Sequence, residues 1–123
     1  MDDFYYKKLD AYKLAKKLTI YVYDQIRKFP EHERFALADQ LRRAAVSVPS
    51  NIAEGMGRMS IKERVHFLDF SYGSLAETDC QLDIACTLGY ISEQDYVTFQ
   101  QLAERTGHTI LGLKKSLENK INN

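Results

Sequence analysis

Apolar residues recur along most of the chain at intervals of three and four, which is the period of an amphipathic α-helix. No segment shows the sustained alternation of apolar and polar residues that a strand requires. Four segments carry the helical pattern, and links of only a few residues join them. Because such helices pack as antiparallel neighbours, the pattern predicts an all-α fold: an antiparallel up-down four-helix bundle, in a single domain over 1–123.

The first two helices are predicted at about 8–28 and 31–57. The first ends at Phe29-Pro30, because the residue before a proline avoids the α region. Gly55 and Gly57 end the second. The expected core positions are Ala11, Leu14, Ala15, Leu18, Val22, Ile26 and Phe29 in the first segment, and Leu37, Leu41, Ala45, Val48, Ile52 and Met56 in the second.

Pro49 lies inside the second apolar pattern. A proline there leaves the carbonyl of Ala45 without its helical donor and costs about 3 kcal/mol. Either the segment is two helices with a break near 47–50, or it is one helix kinked at Pro49. The apolar period continues in register through the proline, which favours the kink, with Ser47 and Ser50 as candidate donors to the freed carbonyl.

The third helix is predicted to begin at a capping box formed by Ser60 and Glu63, and to end at Gly89. The fourth begins at Ser92, where Asp95 completes a weaker box. The expected core positions are Val65, Leu68, Tyr72, Leu75, Leu82 and Ala85 in the third segment, and Tyr96, Phe99, Ala103, Thr106, Ile110, Leu113, Leu117 and Ile121 in the fourth.

The composition is that of an ordinary globular protein, with 45% hydrophobic and 28% charged residues. The 17 Lys and Arg balance the 17 Asp and Glu, but unevenly. Residues 1–64 hold 13 bases against 9 acids, whereas residues 65–123 hold 4 bases against 8 acids. This asymmetry indicates either two solvated faces of opposite sign or copies of the chain that meet basic face to acidic face.

The compartment is predicted to be the cytoplasm. The start, Met1-Asp2-Asp3-Phe4, lacks the basic and apolar character of a signal peptide, and no stretch approaches the roughly 18 apolar residues of a membrane span. Cys80 and Cys86 fall about 240° apart around one helix, which prevents a disulfide. We expect both cysteines to be small buried hydrophobes.

The sequence contains few residue patterns that indicate a catalytic site. Glu63 and His66 have the Glu-x-x-His spacing of a di-iron bundle, but the motif occurs once, and Glu104 to His108 is a four-residue step. No nucleophile elbow or phosphate-binding loop is present. We therefore predict a protein that is not an enzyme and has no metal site and no cofactor.

One polar stripe follows the second helix in steps of 4, 4, 3 and 4, formed by Arg43, Ser47, Asn51, Glu54 and Arg58. It is open to three interpretations: a solvated face with ion pairs inside the helix, a buried polar seam between subunits, or a phosphate site.

The outer face of the first helix carries Lys13, Lys16 and Lys17, which are candidates for nucleic-acid binding. Ile20 and Tyr23 suggest a second contact surface on that helix.

Residues 41–55, Leu-Arg-Arg-Ala-Ala-Val-Ser-Val-Pro-Ser-Asn-Ile-Ala-Glu-Gly, resemble the signature of four-helix-bundle proteins encoded in intervening sequences of bacterial 23S ribosomal RNA genes. Segments 58–63, 73–77, 88–91 and 6–15 continue the resemblance over nearly the whole chain. The chain departs from the family pattern at Val48, at Arg64 and at Phe70-Ser71.

The resemblance implies a homopentameric ring without enzymatic activity. It also implies kinship with the accessory variability protein of diversity-generating retroelements, which binds nucleic acid beside a reverse transcriptase. The expected partners are therefore further copies of the chain, RNA or DNA, and a reverse transcriptase or another protein. Two functions remain open: an oligomeric scaffold that binds nucleic acid or a nucleic-acid enzyme, or a self-assembling module that binds protein alone. A metalloenzyme, resting on a single Glu-x-x-His, is nearly excluded.

Overall fold

The computed structural model describes residues 4–122, which form four α-helices: α1 (Asp10–Ile26), α2 (Leu37–Met56), α3 (Ile61–Thr87) and α4 (Glu93–Asn122). Short 3₁₀ turns at Tyr5–Lys8 and Glu31–Glu33 precede α1 and α2. Residues 4–122 contain no strand, so the all-α prediction is confirmed. The acidic start at residues 1–3, on which the signal-peptide argument rests, lies outside the described residues.

The helices form a closed square in which each one packs on its two neighbours. α1 contacts α2 and α4, and α3 contacts α2 and α4, whereas α1 and α3 face each other diagonally across the core. Leu18, Leu41, Leu68, Phe99 and Ile110 are fully buried at the centre. Within residues 4–122, no helix is both long enough and apolar enough to cross a bilayer.

α2 begins six residues later than the sequence predicts, at Leu37 rather than near residue 31. Glu31–Glu33 forms a 3₁₀ turn, and Ala36 has φ −118° and ψ −106°, which is outside the helical region. From Leu37 onward α2 is continuous through Pro49, so the alternative of two separate helices is wrong. The kink at Pro49 stays a prediction.

The carbonyl freed by Pro49 receives its hydrogen bond from another helix. The Thr19 hydroxyl of α1 lies 2.8 Å from the Ala45 carbonyl oxygen and 3.0 Å from that of Ala15. Ser47, one of the predicted donors, instead donates to the carbonyl of Arg43. The proline therefore ties α2 to α1 by creating an acceptor at their interface.

The predicted starts of α3 and α4 and the predicted end of α3 are confirmed. The Ser60 hydroxyl accepts from the Glu63 amide, and the Ser92 hydroxyl accepts from the Asp95 amide. Gly89 has φ +82°, and the amides that follow α3 bond back to the carbonyls of Cys86 and Ala85. These bonds form a Schellman motif, in which glycine adopts the left-handed conformation.

Three predicted core positions are wrong. Tyr72 and Ile121 are exposed, and Cys80 is exposed while Cys86 is half-buried. On α3 the inward step from Leu68 is three residues, to Ser71, rather than four, to Tyr72. The Ser71 hydroxyl is satisfied there because it donates to the Val48 carbonyl of α2 at 2.7 Å.

Candidate interaction surfaces

Residues of the predicted polar stripe of α2 form ion pairs and hydrogen bonds with neighbours one turn away along the chain. Arg43 pairs with Asp39 at 3.3 Å, and Arg58 pairs with Glu54 at 2.6 Å. The Asn51 amide donates to the Ser47 carbonyl at 2.8 Å. Arg43, Ser47, Asn51 and Glu54 lie on α2, Arg58 follows its C-terminal end, and the isolated subunit satisfies these residues through local contacts.

The C-terminal end of this stripe joins a small aromatic cluster. The Arg58 guanidinium lies 4.7 Å from the centre of the Phe67 ring. Phe67 meets Phe70 edge-on at 5.8 Å, and the His66 ring packs on Phe70 at 4.4 Å. His66 therefore packs within this aromatic cluster, and the Glu63 backbone amide donates to the Ser60 hydroxyl. Across residues 4–122, no group of three His, Cys, Asp or Glu side chains could hold a metal ion.

α3 carries a second apolar face on its solvent side, opposite the buried one. We call this face the outer stripe; it consists of Phe70, Gly73, Glu77, Cys80, Ile84 and Leu88. Their steps of 3, 4, 3, 4 and 4 match the seam of a helix that packs against another helix. Phe70, Ile84 and Leu88 remain 48%, 45% and 53% exposed. A helix that is apolar on two opposite faces is typical of one buried on both sides.

Acidic residues lie within and beside the outer stripe. Residues 65–88 contain Asp69, Glu77, Asp79 and Asp83 but no Lys or Arg. Asp69 pairs with Lys114 at 2.7 Å. Asp79 accepts a hydrogen bond from Tyr96, and burial together with that carboxylate raises the pKa of Tyr96. Glu77 and Asp83 have no Lys or Arg partner among the side chains that the structure describes.

α1 and α2 each expose apolar side chains, which we group together as the α1–α2 patch. This α1–α2 patch consists of Ile20, Tyr23 and Val46, all exposed. Tyr23 shares a groove with Arg42, and Val46 follows Arg42 by one helical turn. Lys16 and Lys17 are exposed beside it, and neither forms an ion pair in the described part of the chain. Basic and apolar groups therefore share this side of the bundle.

Lys13, the third predicted lysine, lines a groove instead. This groove, of about 620 Å³, runs between α1 and α4 and also contains Asp10, Glu104, Arg105 and His108. The Glu104 carboxylate lies 4.0 Å from the His108 ring nitrogen. Because the charges are mixed, the groove favours neither an anion nor a cation.

Antiparallel packing separates charge along the bundle. One half contains the first turns of α1 and α3 and the last turns of α2 and α4, within 4–17, 48–74 and 108–122. That half carries 11 Lys and Arg against 5 Asp and Glu, whereas the rest of the described chain carries 6 against 10. Lys13, Lys16 and Lys17 all lie in the basic half. The two halves of the sequence differ in net charge, and so do the two ends of the molecule.

The sequence pattern of one family, described as 23S rRNA-intervening sequence protein, matches residues 7–112. This match covers all of α1, α2 and α3 and most of α4. The chain belongs to the 23S rRNA-intervening sequence protein family. Among proteins with curated descriptions, none matches it.

A crystal structure of another protein has a similar fold. It is described as a protein with unknown function from the S23 ribosomal protein family of Bacteroides thetaiotaomicron VPI-5482, at 1.70 Å resolution. The two structures superpose with a TM-score of 0.78 at 16% sequence identity, over 85% of this chain and 98% of the other. The fold is therefore retained where most side chains differ.

Sequence reasoning located the polar stripe and the lysines but missed the outer stripe of α3. The signal was present, since the apolar spacing of residues 70, 73, 80, 84 and 88 is visible in the sequence. The buried stripe of the same helix obscured it, because both share one period and differ only in phase.

Proposed function

We propose that this member of the family is a non-catalytic scaffold that assembles with copies of itself, and that the assembly is a pentameric ring. The observation that carries this proposal is the outer stripe of α3, an apolar helix face that the subunit leaves in water. Exposed apolar faces of this kind mark interaction sites. The aromatic cluster at Arg58 adds the residue types that are enriched in protein interfaces.

A ring requires two different complementary patches on each subunit, placed so that successive contacts turn around an axis. The outer stripe of α3 and the α1–α2 patch are two different surfaces, and the charged residues beside them have opposite signs.

Light scattering coupled to size exclusion tests the proposal. We expect a mass of five times the 14.2 kDa chain at micromolar concentration. A 14.2 kDa species at every concentration tested would rule out the scaffold.

Nucleic-acid binding is a second candidate function, favoured by the basic half of the bundle. Its exposed end carries Lys62, Lys115 and Lys120. Lys13, Lys16 and Lys17 lie further along the side of α1. Symmetric assembly would repeat this end, so a weak contact to phosphate would gain avidity. A reverse transcriptase or another nucleic-acid enzyme bound to the same RNA or DNA molecule would then lie next to the scaffold.

The binding test uses filter binding of single-stranded RNA and DNA at two salt concentrations. We expect binding that weakens steeply with salt, because neutralised phosphates release counterions. Changing Lys62, Lys115 and Lys120 together to Glu should abolish it. The matched control changes Arg27, Arg34 and Arg43, which are exposed in the acidic half, to Glu and should retain most of it. If neither RNA nor DNA binds at low salt, the protein-only module is the remaining function.

A further inference from the structure

The apolar side chains of the outer stripe of α3 are exposed in the isolated subunit, which indicates that a partner covers them. We propose that it is covered by the α1–α2 patch of a second copy, with Glu77 and Asp83 of one subunit facing Lys16 and Lys17 of the next. This inference rests on the proposed self-assembly and names the two surfaces that meet.

The shapes of the two surfaces are complementary. Gly73 and Cys80 are small, and they separate the larger Phe70 and Ile84 along the outer stripe. A Cβ atom added to Gly73 would meet nothing within 4 Å, so the space above it is open. On the other surface Ile20 and Tyr23 project from α1. Side chains that project from one helix pack into gaps on its partner, so these two residues fit the low points of the outer stripe.

The charges beside the outer stripe determine which surface of another copy can pack against it. Residues 65–88 carry four carboxylates and no basic residue, so two copies of the outer stripe would repel each other. The α1–α2 patch offers the opposite charge, since Lys16 and Lys17 stand beside Ile20. In the isolated subunit neither these lysines nor Glu77 and Asp83 have an oppositely charged partner among residues 4–122. The contact between copies would pair both sets.

The first test compares substitutions of two similarly exposed aliphatic residues, one inside the outer stripe and one outside it. Ile84 of the outer stripe is 45% exposed, and Leu111 of α4 is 44% exposed. Ile84→Ser should weaken assembly at least about tenfold, whereas Leu111→Ser should leave it unchanged. Sedimentation velocity over a concentration series measures both. Equal effects, or a larger effect at Leu111, would overturn the proposal.

The second test is a charge exchange. Lys16→Glu with Lys17→Glu should weaken assembly, and Glu77→Lys with Asp83→Lys should weaken it as well. All four changes in one chain should restore it, because each contact then has the same two charges on exchanged sides. A fourfold variant that assembles no better than either double variant would contradict this pairing.

Cys80 supplies a direct probe of the covered face. In a Cys86→Ser background, alkylation of Cys80 by a maleimide should be slow in the assembled protein and at least about tenfold faster after Ile84→Ser. Fast alkylation in an intact oligomer would show that another surface holds the copies together, which would overturn this inference but leave the scaffold standing. A wild-type monomer would instead remove both.

Discussion

At the scale of single residues, the hydrogen bond from Thr19 to the Ala45 carbonyl shows how the chain accommodates Pro49 inside a helix. The proline removes the amide that would bond to the Ala45 carbonyl, and the Thr19 hydroxyl takes its place at 2.8 Å. Both groups are buried at the interface of α1 and α2. An acceptor left unsatisfied there would cost about 1–3 kcal/mol.

Thr19→Val should therefore lower the free energy of unfolding by about 1–3 kcal/mol, measured by urea denaturation. The matched control is Thr106→Val. Thr106 is also buried, but its hydroxyl bonds to the Leu102 carbonyl of its own helix, which keeps its backbone donor. The control should lose about 1 kcal/mol or less. In a Pro49→Ala background the cost of Thr19→Val should shrink, and an undiminished cost would show that the hydroxyl does not serve this carbonyl.

Asp95 connects the N-terminal end of α4 to the C-terminal end of α1. Its carboxylate accepts from the Lys28 ammonium at 2.7 Å, and its backbone carbonyl accepts from the Tyr21 hydroxyl. The hydrogen bond from Lys28 holds the pKa of Asp95 below its ordinary value. A carboxyl whose pKa is depressed by folding stabilises the native state above its unfolded pKa, and that contribution is lost as the pH falls through the folded value.

Asp95→Asn should therefore flatten the loss of stability on acidification below about pH 4. Urea midpoints measured between pH 2 and pH 7 provide the comparison. Asp24→Asn, which removes an exposed carboxylate 3.5 Å from Arg27, should follow the wild-type profile more closely. Identical acid profiles for Asp95→Asn and wild type would exclude a stabilising role for this pair.

At the scale of elements, the close approach of α2 to α3 depends on one glycine. A Cβ atom on Gly55 would lie 2.8 Å from the Phe67 Cβ and 3.3 Å from the Arg64 carbonyl oxygen. Neither contact belongs to a flexible side-chain end, so one of the helices would have to move. The sequence predicted this glycine as a helix stop, but Gly55 lies inside α2.

Gly55→Ala should destabilise the protein by about 1–3 kcal/mol through overpacking. Gly112 of α4 is the natural control, since a Cβ there meets nothing within 4 Å. Gly112→Ala should stabilise by about 0.5–1 kcal/mol, because alanine loses less conformational freedom in a helix. Thermal unfolding followed by circular dichroism separates the two variants, and equal shifts would argue against a close contact at Gly55.

The elements themselves could largely be read from the sequence. Three helices and both serine caps were predicted to within a few residues, because capping and apolar period are local properties. The start of α2 was not, since the six residues from Glu31 to Ala36 are too few to carry a period that separates a 3₁₀ turn from a helix. The hydrogen bond from Thr19 to the Ala45 carbonyl could not be predicted from the sequence either, because it depends on how α1 is rotated against α2. The lysines and the polar stripe could be placed on faces, but which surfaces they adjoin depends on the packed bundle.

At the scale of the whole molecule, assembly should contribute to stability. A partner that binds only the native state raises the melting temperature in proportion to the logarithm of its concentration. We expect the melting temperature to rise when protein concentration is raised from micromolar to hundreds of micromolar, as measured by scanning calorimetry. Ile84→Ser should remove this dependence and Leu111→Ser should keep it. A melting temperature independent of concentration in the wild type would mean that the copies do not associate.

The separation of charge along the bundle has a consequence for how the molecule behaves near a charged surface. With a net charge of 0 and opposite charges at its two ends, the protein is an electric dipole rather than a neutral particle. Close to its isoelectric point of about 6.8, it would bind a cation exchanger by one end and an anion exchanger by the other. A surface of either sign would therefore orient the molecule, with the ends of α2 and α4 turned toward a negative surface and their starts toward a positive one.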